Sequence, residues 1–416
     1  MPAAPLHISI VGAGLGGLCL AQALNRRGIA FDVYERDAAP ASRTQGYRIR
    51  IDHMGQQALE ACLPAELFSL FKATSALPVQ GVNLVDTQLE AVRGKWVDAW
   101  RRASGEAGSC EADDLSVNRQ TLREILLEGI GDRVHFGKAY VRYREGDDGR
   151  VLTSFSDALS SVSDLLVAAD GVNSMVRRRR LPAAMPADTG FVCVYGKTYP
   201  APTVLERISD LLPSRTSIVF GDGLAVIIDP MRFRPQPAGY RLSKPEDYIY
   251  WAVVGAREKL GIGWEGGDAL SQDELAARLE RTTKEWHAGL RALFQEGDRS
   301  ALAMQPVRTA DVPSAWPGNA ITMLGDAIHS MSPAGGLGAN TALHDAHLLA
   351  RQLGEAAAGR LPLRAAIGSY EAAMRGHGAR AILASQRATE VLLGSRDSRH
   401  GRPEPVLAGQ APRALR

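Results

Sequence analysis

A glycine cluster close to the first residue has the types and spacing needed to bind phosphate. Residues 12–17 read Gly-Ala-Gly-Leu-Gly-Gly, which satisfies the pattern Gly-x-Gly-x-x-Gly. In this pattern the first glycine permits a tight turn, the second lets backbone N–H groups approach a pyrophosphate, and the third lets a helix and a strand pack closely. A helix that begins here also directs its partial positive charge at phosphate. The cluster therefore predicts a dinucleotide-binding site.

An acidic residue follows the glycine cluster at the distance that a ribose contact requires. Glu35 lies eighteen residues after Gly17, at the end of a predicted strand. A carboxylate in this position can accept hydrogen bonds from two ribose hydroxyls. A 2′-phosphate would meet a like charge there, so the pattern favours an adenosine without that phosphate.

Two further motifs could serve the same ligand. Asp170-Gly171 ends an apolar run, and Gly325-Asp326 ends another. A carboxylate at such a strand exit can hold a ribityl or ribose hydroxyl. The glycine-rich stretch after Asp326 predicts a helix that begins near residues 338–340. The partial positive charge of its first turn would stabilise an anion, which suits the N1–C2=O region of a reduced flavin.

The elements that must position these motifs are read from the hydrophobic pattern. Strand 7–11, helix 15–27 and strand 30–35 predict a β-α-β unit with a right-handed crossover and a parallel sheet. Further buried strands are predicted at 164–169 and 320–324, and further helices at 117–130 and 340–353. The middle of the chain is β-rich instead, with strands predicted at 191–199, 216–220, 224–228 and 248–255. Ser271-x-x-Glu274 is a capping box that predicts a helix of some twenty residues.

Strand-helix units at both ends of the chain thus bracket a β-rich middle. We expect an α/β fold: a Rossmann-like domain with a parallel sheet, and an inserted β-rich (α+β) domain. The first, discontinuous domain is predicted at 1–78, 108–188 and 302–376, and the second at 79–107 and 189–301. Residues 377–416 are predicted to form a helix and a flexible tail.

Composition excludes several classes of protein. The chain has 416 residues, and 48 Lys+Arg against 46 Asp+Glu leave a net charge of +2, too small for a dedicated nucleic-acid or membrane-surface protein. No apolar run approaches the roughly 18 residues of a membrane span. No secretion signal is recognised, and the four cysteines are widely separated, which argues against a zinc site or a disulfide framework. We expect a cytoplasmic protein.

Several other sequence features are explained by ordinary structural roles. Residues 261–266 repeat the Gly-x-Gly-x-x-Gly pattern, but Trp264 and Glu265 would obstruct a pyrophosphate, so a turn is expected there. The run Arg177–Arg180 is expected to be a solvated helix face. His329 is expected to make a structural hydrogen bond. Alternation along 248–251 places Tyr248 and Tyr250 on one sheet face and Trp251 on the other, so that one set could line a cavity.

The glycine cluster, the Asp-Gly motif and the Gly-Asp motif, in this order, resemble the single-component FAD-dependent aromatic hydroxylases. This is the para-hydroxybenzoate hydroxylase-like family of class A flavoprotein monooxygenases. The resemblance extends to about residue 375. It implies that FAD, reduced by NADPH or NADH, reacts with O₂ to give a flavin hydroperoxide, which hydroxylates an aromatic or polyketide-like small molecule. Baeyer–Villiger-type oxygenation, a flavoprotein reductase and a flavin redox sensor without turnover remain open. A flavin-dependent halogenase is disfavoured because no Trp-x-Trp occurs.

The resemblance also assigns roles to residues, and it implies neither a metal site nor a particular catalytic side chain, because the cofactor carries the chemistry. Gly12, Gly14, Leu15 and Gly17 would line the FAD pyrophosphate, with Arg48 nearby. Glu35 and Arg36 would hold the adenosine, Arg119 the flavin, and Asp326 a ribityl hydroxyl. Asp170 would serve both FAD and the reduced nicotinamide, and Gly338, Ala339 and Asn340 would contact the isoalloxazine ring. The family usually has Pro-x-x-Gly-Gln-Gly before the Asn, whereas this chain has Leu337 near the glutamine position.

Overall fold

The computed structural model describes most of the chain. The described residues are 6–40, 42, 47–79, 81–94, 113–208, 212–243, 245–263, 270–311, 314–318 and 320–393. The strands among them are β1 (His7–Val11), β2 (Ala30–Tyr34), β3 (Ile49–Ile51), β4 (Val82–Asp86), β5 (Leu115–Val117), β6 (Val134–His135), β7 (Tyr140–Glu145), β8 (Val151–Phe155), β9 (Ser160–Ser163), β10 (Leu165–Ala168), β11 (Ala187–Thr198), β12 (Thr216–Gly221), β13 (Leu224–Met231), β14 (Tyr248–Ala256), β15 (Ala303–Thr309) and β16 (Ile321–Met323). The helices are α1 (Leu15–Arg26), α2 (His53–Cys62), α3 (Ala65–Thr74), α4 (Arg119–Leu127), α5 (Met175–Arg180), α6 (Pro202–Leu205), α7 (Gln272–Thr282), α8 (Ala288–Gln295), α9 (Asp326–His329), α10 (Gly338–Ala357) and α11 (Leu363–Leu393).

The first sheet is parallel and has the strand order β16-β10-β1-β2-β6. Ile8 in the central strand pairs with Leu165 on one side and with Phe31 on the other. Ile8 and Ile10 have no exposed surface. Ser9, which points to the opposite face, is also buried, and its hydroxyl forms a hydrogen bond with that of Ser161 in the three-stranded sheet β7-β8-β9. The predicted β-α-β unit and the Rossmann-like parallel sheet are confirmed.

Helix α1 packs closely against the late helix α10, although more than 300 residues of chain separate them. Gly16 makes this approach possible. A Cβ atom at this position would lie 2.8 Å from Cδ1 of Leu324 and 3.2 Å from Cβ of Ala342. The start of the chain and its late part therefore share one core, as a discontinuous domain requires.

The second sheet has the order β15-β11-β14-β13-β12-β4 and is antiparallel except where β12 pairs with β4. One face packs on helices α7 and α8. Trp251 is buried between this face and the helices, and its indole N–H donates to Oγ1 of Thr198 at 3.0 Å. The opposite face of the sheet looks towards the first domain. Strand β15 belongs to this sheet, although the sequence analysis grouped residues 302–309 with the first domain.

Helix α11 ties the two sheets together. Near its start, the hydroxyl of Tyr370 donates to the carbonyl of Met323 in the first sheet at 2.8 Å. Near its end, Ala388 and Leu392 pack in one apolar cluster with Phe220 of the second sheet. The helix begins earlier than the predicted segment 377–416, whose tail from residue 394 lies outside the described residues. No described helix is both long enough and apolar enough to cross a membrane.

The structure confirms some of the local sequence predictions and contradicts others. The Ser271–Glu274 capping box is present, but helix α7 ends at Thr282 and α8 follows as a separate helix. Residues 264–266 of the second glycine motif lie outside the described residues. The expectation of a solvated arginine face is wrong for Arg177, which has no exposed surface; its guanidinium donates to the carbonyls of Ala327 and Val172, both at 2.8 Å. Arg177 thereby links the Asp-Gly motif to the segment after the Gly-Asp motif.

Candidate functional site

A cavity of about 450 Å³ lies between the two sheets and joins the predicted motifs. One side, which we call the glycine wall, is formed by Gly14, Leu15, Gly16, Gly17, Gly325, Asp326, Gly338 and Ala339. The opposite side, which we call the sheet wall, is formed by Cys193, Tyr195, Ile227, Tyr250, Ala252, Val254 and Val307. The early glycine cluster and the late helix start therefore border the same space.

The three glycines of the first motif meet the requirements predicted for them. Gly12 has φ +109°, and a Cβ there would lie 2.3 Å from the carbonyl oxygen of Ala169. A Cβ on Gly17 would lie 2.2 Å from the carbonyl oxygen of Gly12. A Cβ on Gly14 would meet nothing within 4 Å. Gly12 and Gly17 are thus needed for close packing, whereas Gly14 leaves open space beside the N-terminus of α1.

Glu35 is buried behind this loop. Its carboxylate accepts hydrogen bonds from the backbone N–H of Ala13 at 2.8 Å and of Asp37 at 3.0 Å. Arg123 lies 3.8 Å from the same carboxylate. Glu35 therefore fixes the shape of the glycine loop, and its contact with a ribose stays a prediction. Arg36, predicted to act beside it, is exposed.

Arg48 lines the cavity, but its guanidinium binds the second sheet. Nε donates to the Asp229 carboxylate at 2.6 Å and to the Ser116 hydroxyl at 3.2 Å. Asp229 is 1% exposed, so this ion pair spans the junction between the domains. The predicted role of Arg48 near a pyrophosphate stays a prediction.

Asp326 offers a carboxylate that the protein itself does not use. No described residue donates a hydrogen bond to it, and its side chain faces the cavity. Burial among protein atoms raises the pKa of Asp326, and the positive charges of His329 and Arg119 oppose the rise. Asp326 is exposed to the cavity, and a carboxylate there that lacks a donor is suited to a ligand hydroxyl. Together with the open space at Gly14, this acceptor fits the ribityl and pyrophosphate parts of FAD.

The start of α10 also reaches the cavity. Gly338 and Ala339 line it, and the N–H groups of a first helical turn have no partner within the helix. Asn340 is different, because its amide is fully occupied. Its Oδ1 accepts from the N–H of Asp52 at 3.1 Å, and its Nδ2 donates to the carbonyls of Arg50 and Gly336, both at 3.0 Å. The Asn340 side chain therefore anchors loops, and only its backbone is free to serve a flavin ring.

The Asp-Gly motif lies at the edge of the cavity. Gly171 lines it, while Asp170 accepts a hydrogen bond from the N–H of Met175 at 2.9 Å. Burial raises the pKa of Asp170, against the hydrogen bonds that it accepts. The carboxylate thus binds the first N–H of helix α5, whose N-cap is Ser174, and the predicted contacts of Asp170 with two cofactors stay a prediction.

The sheet wall is apolar apart from two phenols and a thiol. Tyr250, Ala252 and Val254 line it from alternate positions of β14, as the predicted alternation allows. No described residue forms a hydrogen bond with the hydroxyls of Tyr195 or Tyr250, and burial raises the pKa of both phenols. The sequence analysis singled out Tyr250 but did not identify Cys193, Ile227 and Val307. A period of two along each strand could have found them once the inward face was known.

Comparisons with known proteins agree with this geometry. A model described as an NAD(P)-binding Rossmann-like domain matches residues 10–71, and one described as an FAD binding domain matches residues 260–385. The chain is 34% identical, over 94% of its length, to the dual O-methyltransferase/FAD-dependent monooxygenase CTB3 of Cercospora beticola. It covers 46% of that relative, so the chain spans less than half the length of this curated protein.

Two further relatives match over most of both chains. The aurachin C monooxygenase/isomerase of Stigmatella aurantiaca is 29% identical, with 88% of this chain and 84% of that protein covered. A solved structure from Photorhabdus luminescens, named as an FAD-containing monooxygenase, is 28% identical with a TM-score of 0.79, and the match covers 93% of this chain and 98% of the other.

Proposed function

Because the chain is a homologue of FAD-dependent monooxygenases and has the para-hydroxybenzoate hydroxylase-like fold, we propose that it oxygenates a small aromatic molecule. The electron donor in this proposal is NADPH or NADH, and the oxidant is O₂. The reaction inserts one oxygen atom of O₂ into the substrate, and the other leaves as water. The substrate class that we propose is a phenolic or polyketide-like ring.

The observation that carries the proposal is the single cavity with two unlike walls. The glycine wall supplies backbone N–H groups, a helix start and the free Asp326 carboxylate, which suit the phosphates, ring and hydroxyls of FAD. The sheet wall supplies apolar side chains, which suit a flat ring. A ligand on one wall and a ligand on the other would therefore meet inside the cavity.

The protein's own part in the reaction is to bind, orient and exclude water. When bound, FAD supplies electron transfer from the nicotinamide and activation of O₂. Residues 14–17 and Asp326 would hold it, and the first turn of α10 would stabilise negative charge on its ring. The apolar side chains of the sheet wall limit the water that reaches the reacting atoms.

The phenols of the sheet wall support a substrate that carries oxygen substituents. The hydroxyls of Tyr195 and Tyr250 are uncharged and can each donate one hydrogen bond to a substrate oxygen. The dual-function relative is named for O-methyl transfer as well as oxygenation, and O-methyl transfer also acts on hydroxylated molecules. Both points favour a hydroxylated ring over a plain hydrocarbon. The free cysteines Cys19, Cys62 and Cys193 support a cytoplasmic location as part of this proposal.

The test begins with purified protein comprising residues 1–416, reconstituted with FAD. Flavin absorbance that remains with the protein through gel filtration is the first expected result. The second is NADPH or NADH oxidation that accelerates when phenols, naphthols or polycyclic phenols are added, with matching O₂ consumption. Mass spectrometry should show a product that contains one oxygen atom from ¹⁸O₂.

Each result that contradicts the proposal would indicate a different function for this protein. Failure to retain FAD would overturn the proposal as a whole. Electron transfer to an added acceptor without oxygen in the product would indicate a reductase. Bound flavin whose reduction no compound of the panel accelerates would indicate a redox sensor. A ring-expanded product would assign Baeyer–Villiger-type oxygenation in place of hydroxylation.

A further inference from the structure

A buried carboxylate behind the glycine wall binds the Gly325–Asp326 turn and two histidines. Oδ2 of Asp345 accepts the backbone N–H of Gly325 at 2.8 Å and Nε2–H of His329 at 2.5 Å. Its Oδ1 accepts Nε2–H of His377, on α11, at 2.5 Å. Asp345 has no exposed surface. One carboxylate thus joins the turn, helix α9 and the helix that spans both sheets.

These contacts are hydrogen bonds rather than a set of metal ligands. The two imidazole nitrogens and the carboxylate lie within 4.8 Å of one another. Two ligands of a tetrahedral ion, each about 2.0–2.2 Å from it, are separated by more than 3 Å. The nitrogen–oxygen separations of 2.5 Å are too short for that and fit N–H donors to a carboxylate.

One face of α10 supports the turn along two helical turns. Gly338, Ala342 and Asp345 have the spacing i, i+4, i+7, so they lie on the same face. A Cβ on Gly338 would lie 3.7 Å from Oδ1 of Asp326, and a Cβ on Gly325 would lie 3.0 Å from Cβ of Ala342. Gly325 has φ +61°, a conformation that glycine adopts without steric cost and that a residue with a side chain rarely adopts.

The same contacts set the charges around Asp326. Burial disfavours ionisation of Asp345, but the charges and hydrogen bonds of His329 and His377 hold its pKa at about 2. Burial also disfavours the imidazolium of His329, but the charge and hydrogen bond of Asp345 outweigh it and raise the pKa of His329. The negative charges of Asp345 and Asp326 both favour the charged form of the His329 imidazole.

We propose that Asp345 is a positioning residue for FAD, which with His329 and His377 fixes the Gly325–Asp326 turn before the cofactor binds. The inference rests on the proposed function, since it assumes that Asp326 holds an FAD hydroxyl. Preorganisation matters here because an unsupported turn would have to be ordered at the expense of binding free energy. Asp345 itself does not line the cavity, so it acts through Asp326.

The test compares two buried carboxylates in the full chain. Asp345→Asn leaves one imidazole N–H without an acceptor and should weaken FAD binding about tenfold or more, measured by titrating apoprotein against flavin fluorescence. Glu371→Gln is the matched control. Glu371 is 2% exposed and accepts from Trp316 at 3.0 Å and Thr322 at 2.9 Å, but it does not touch the turn. It should lower the apoprotein melting temperature and leave the FAD dissociation constant within about twofold.

A second pair of variants covers the case in which Asp345→Asn fails to fold. His377→Gln keeps an N–H donor for Asp345 and should bind FAD nearly as the wild type does. His377→Leu removes that donor and should bind more weakly, with an altered visible circular dichroism of the bound flavin. The inference would be overturned if the two variants of each pair bound FAD with equal affinity. FAD binding by the wild-type protein would still support the proposed function in that case. A wild-type chain that binds no FAD would overturn both.

Discussion

The two walls of the cavity are built from different parts of the polypeptide. The glycine wall offers mainly backbone groups, with Asp326 as its one ionisable side chain, whereas the sheet wall offers only side chains. Backbone groups are exposed where glycine leaves room, and every sequence with those glycines can present them. The shape and polarity of the sheet wall depend on the side chain at each position that points into the cavity. In the proposed function, the glycine wall would therefore bind the cofactor and the sheet wall would select the substrate.

The largest effect is expected from a substitution that adds a methyl group to the glycine wall. Gly17→Ala would place a Cβ 2.2 Å from the carbonyl oxygen of Gly12, and the loop would have to shift. We expect FAD affinity to fall by up to about 100-fold and the apoprotein to be destabilised by about 1–3 kcal/mol. Flavin titration and thermal melting measure the two effects.

Gly14→Ala is the matched control, because its Cβ would meet nothing within 4 Å. The apoprotein should melt as the wild type does, and only FAD binding should weaken, since the methyl group would occupy the open space. If both variants melted alike and bound FAD alike, the loop geometry would not be what positions the cofactor.

The two walls should also respond differently to acid. Asp345 behind the glycine wall has a pKa of about 2, below the ordinary 3.8, so its ionised form stabilises the fold above about pH 4 and this stabilisation is lost as pH falls towards 2. The raised pKa of His329 acts in the opposite sense: its contribution is complete below pH 6.5 and is lost as pH rises through the raised value. The groups facing Asp345 are His329 and His377, with Tyr370 and His344 nearby.

We expect the wild-type apoprotein to lose about 2 kcal/mol of unfolding free energy through Asp345 between about pH 5 and pH 2. Denaturant titrations at several pH values measure this loss, and Asp345→Asn should flatten it. Cys193 in the sheet wall has its pKa raised by burial to about 12, so it stays neutral throughout. Cys193→Ala should therefore keep the wild-type acid dependence, and an equal flattening in both variants would contradict the assignment.

Asp326→Asn tests the one ionisable group of the glycine wall. The side chain of Asp326 is exposed to the cavity, and no described residue donates a hydrogen bond to it. We expect FAD affinity to fall about tenfold and apoprotein stability to stay about the same, because the substitution breaks no hydrogen bond within the described part of the protein. A loss of stability without a change in FAD affinity would remove Asp326 from the cofactor site.

Tyr250→Phe should have the smallest effect, confined to the sheet wall. Because no described residue bonds its hydroxyl, the fold and FAD affinity should not change, while KM for a phenolic substrate rises about fivefold. Tyr248→Phe is the control. The Tyr248 hydroxyl donates to the carbonyl of Tyr47 at 2.7 Å, so its loss should cost about 1 kcal/mol of stability without affecting KM. An unchanged KM for Tyr250→Phe would mean that its hydroxyl does not bind substrate.

The chain's short-range signals predicted much of this arrangement. The glycine cluster, the strand before it and Glu35 lie close together in sequence, and the local backbone geometry decides their structure. Asn118 caps α4 by accepting from the N–H groups of Gln120 and Thr121, as its residue type indicates. The same reasoning misplaced Arg177, because the buried guanidinium relies on the carbonyl of Ala327, 150 residues away in sequence, as well as on that of nearby Val172.

By itself, the sequence determined which backbone segments can bind phosphate and which strands are buried, because glycine spacing and hydrophobic period act over a few residues. Only the tertiary structure decided that Arg48 binds Asp229, that the Asn340 side chain anchors loops, and that Asp345 supports Asp326 together with His377. These partners are separated by 181, 290 and 32 residues. No local pattern specifies them, because a hydrogen bond between distant segments exists only after both have packed on a common core.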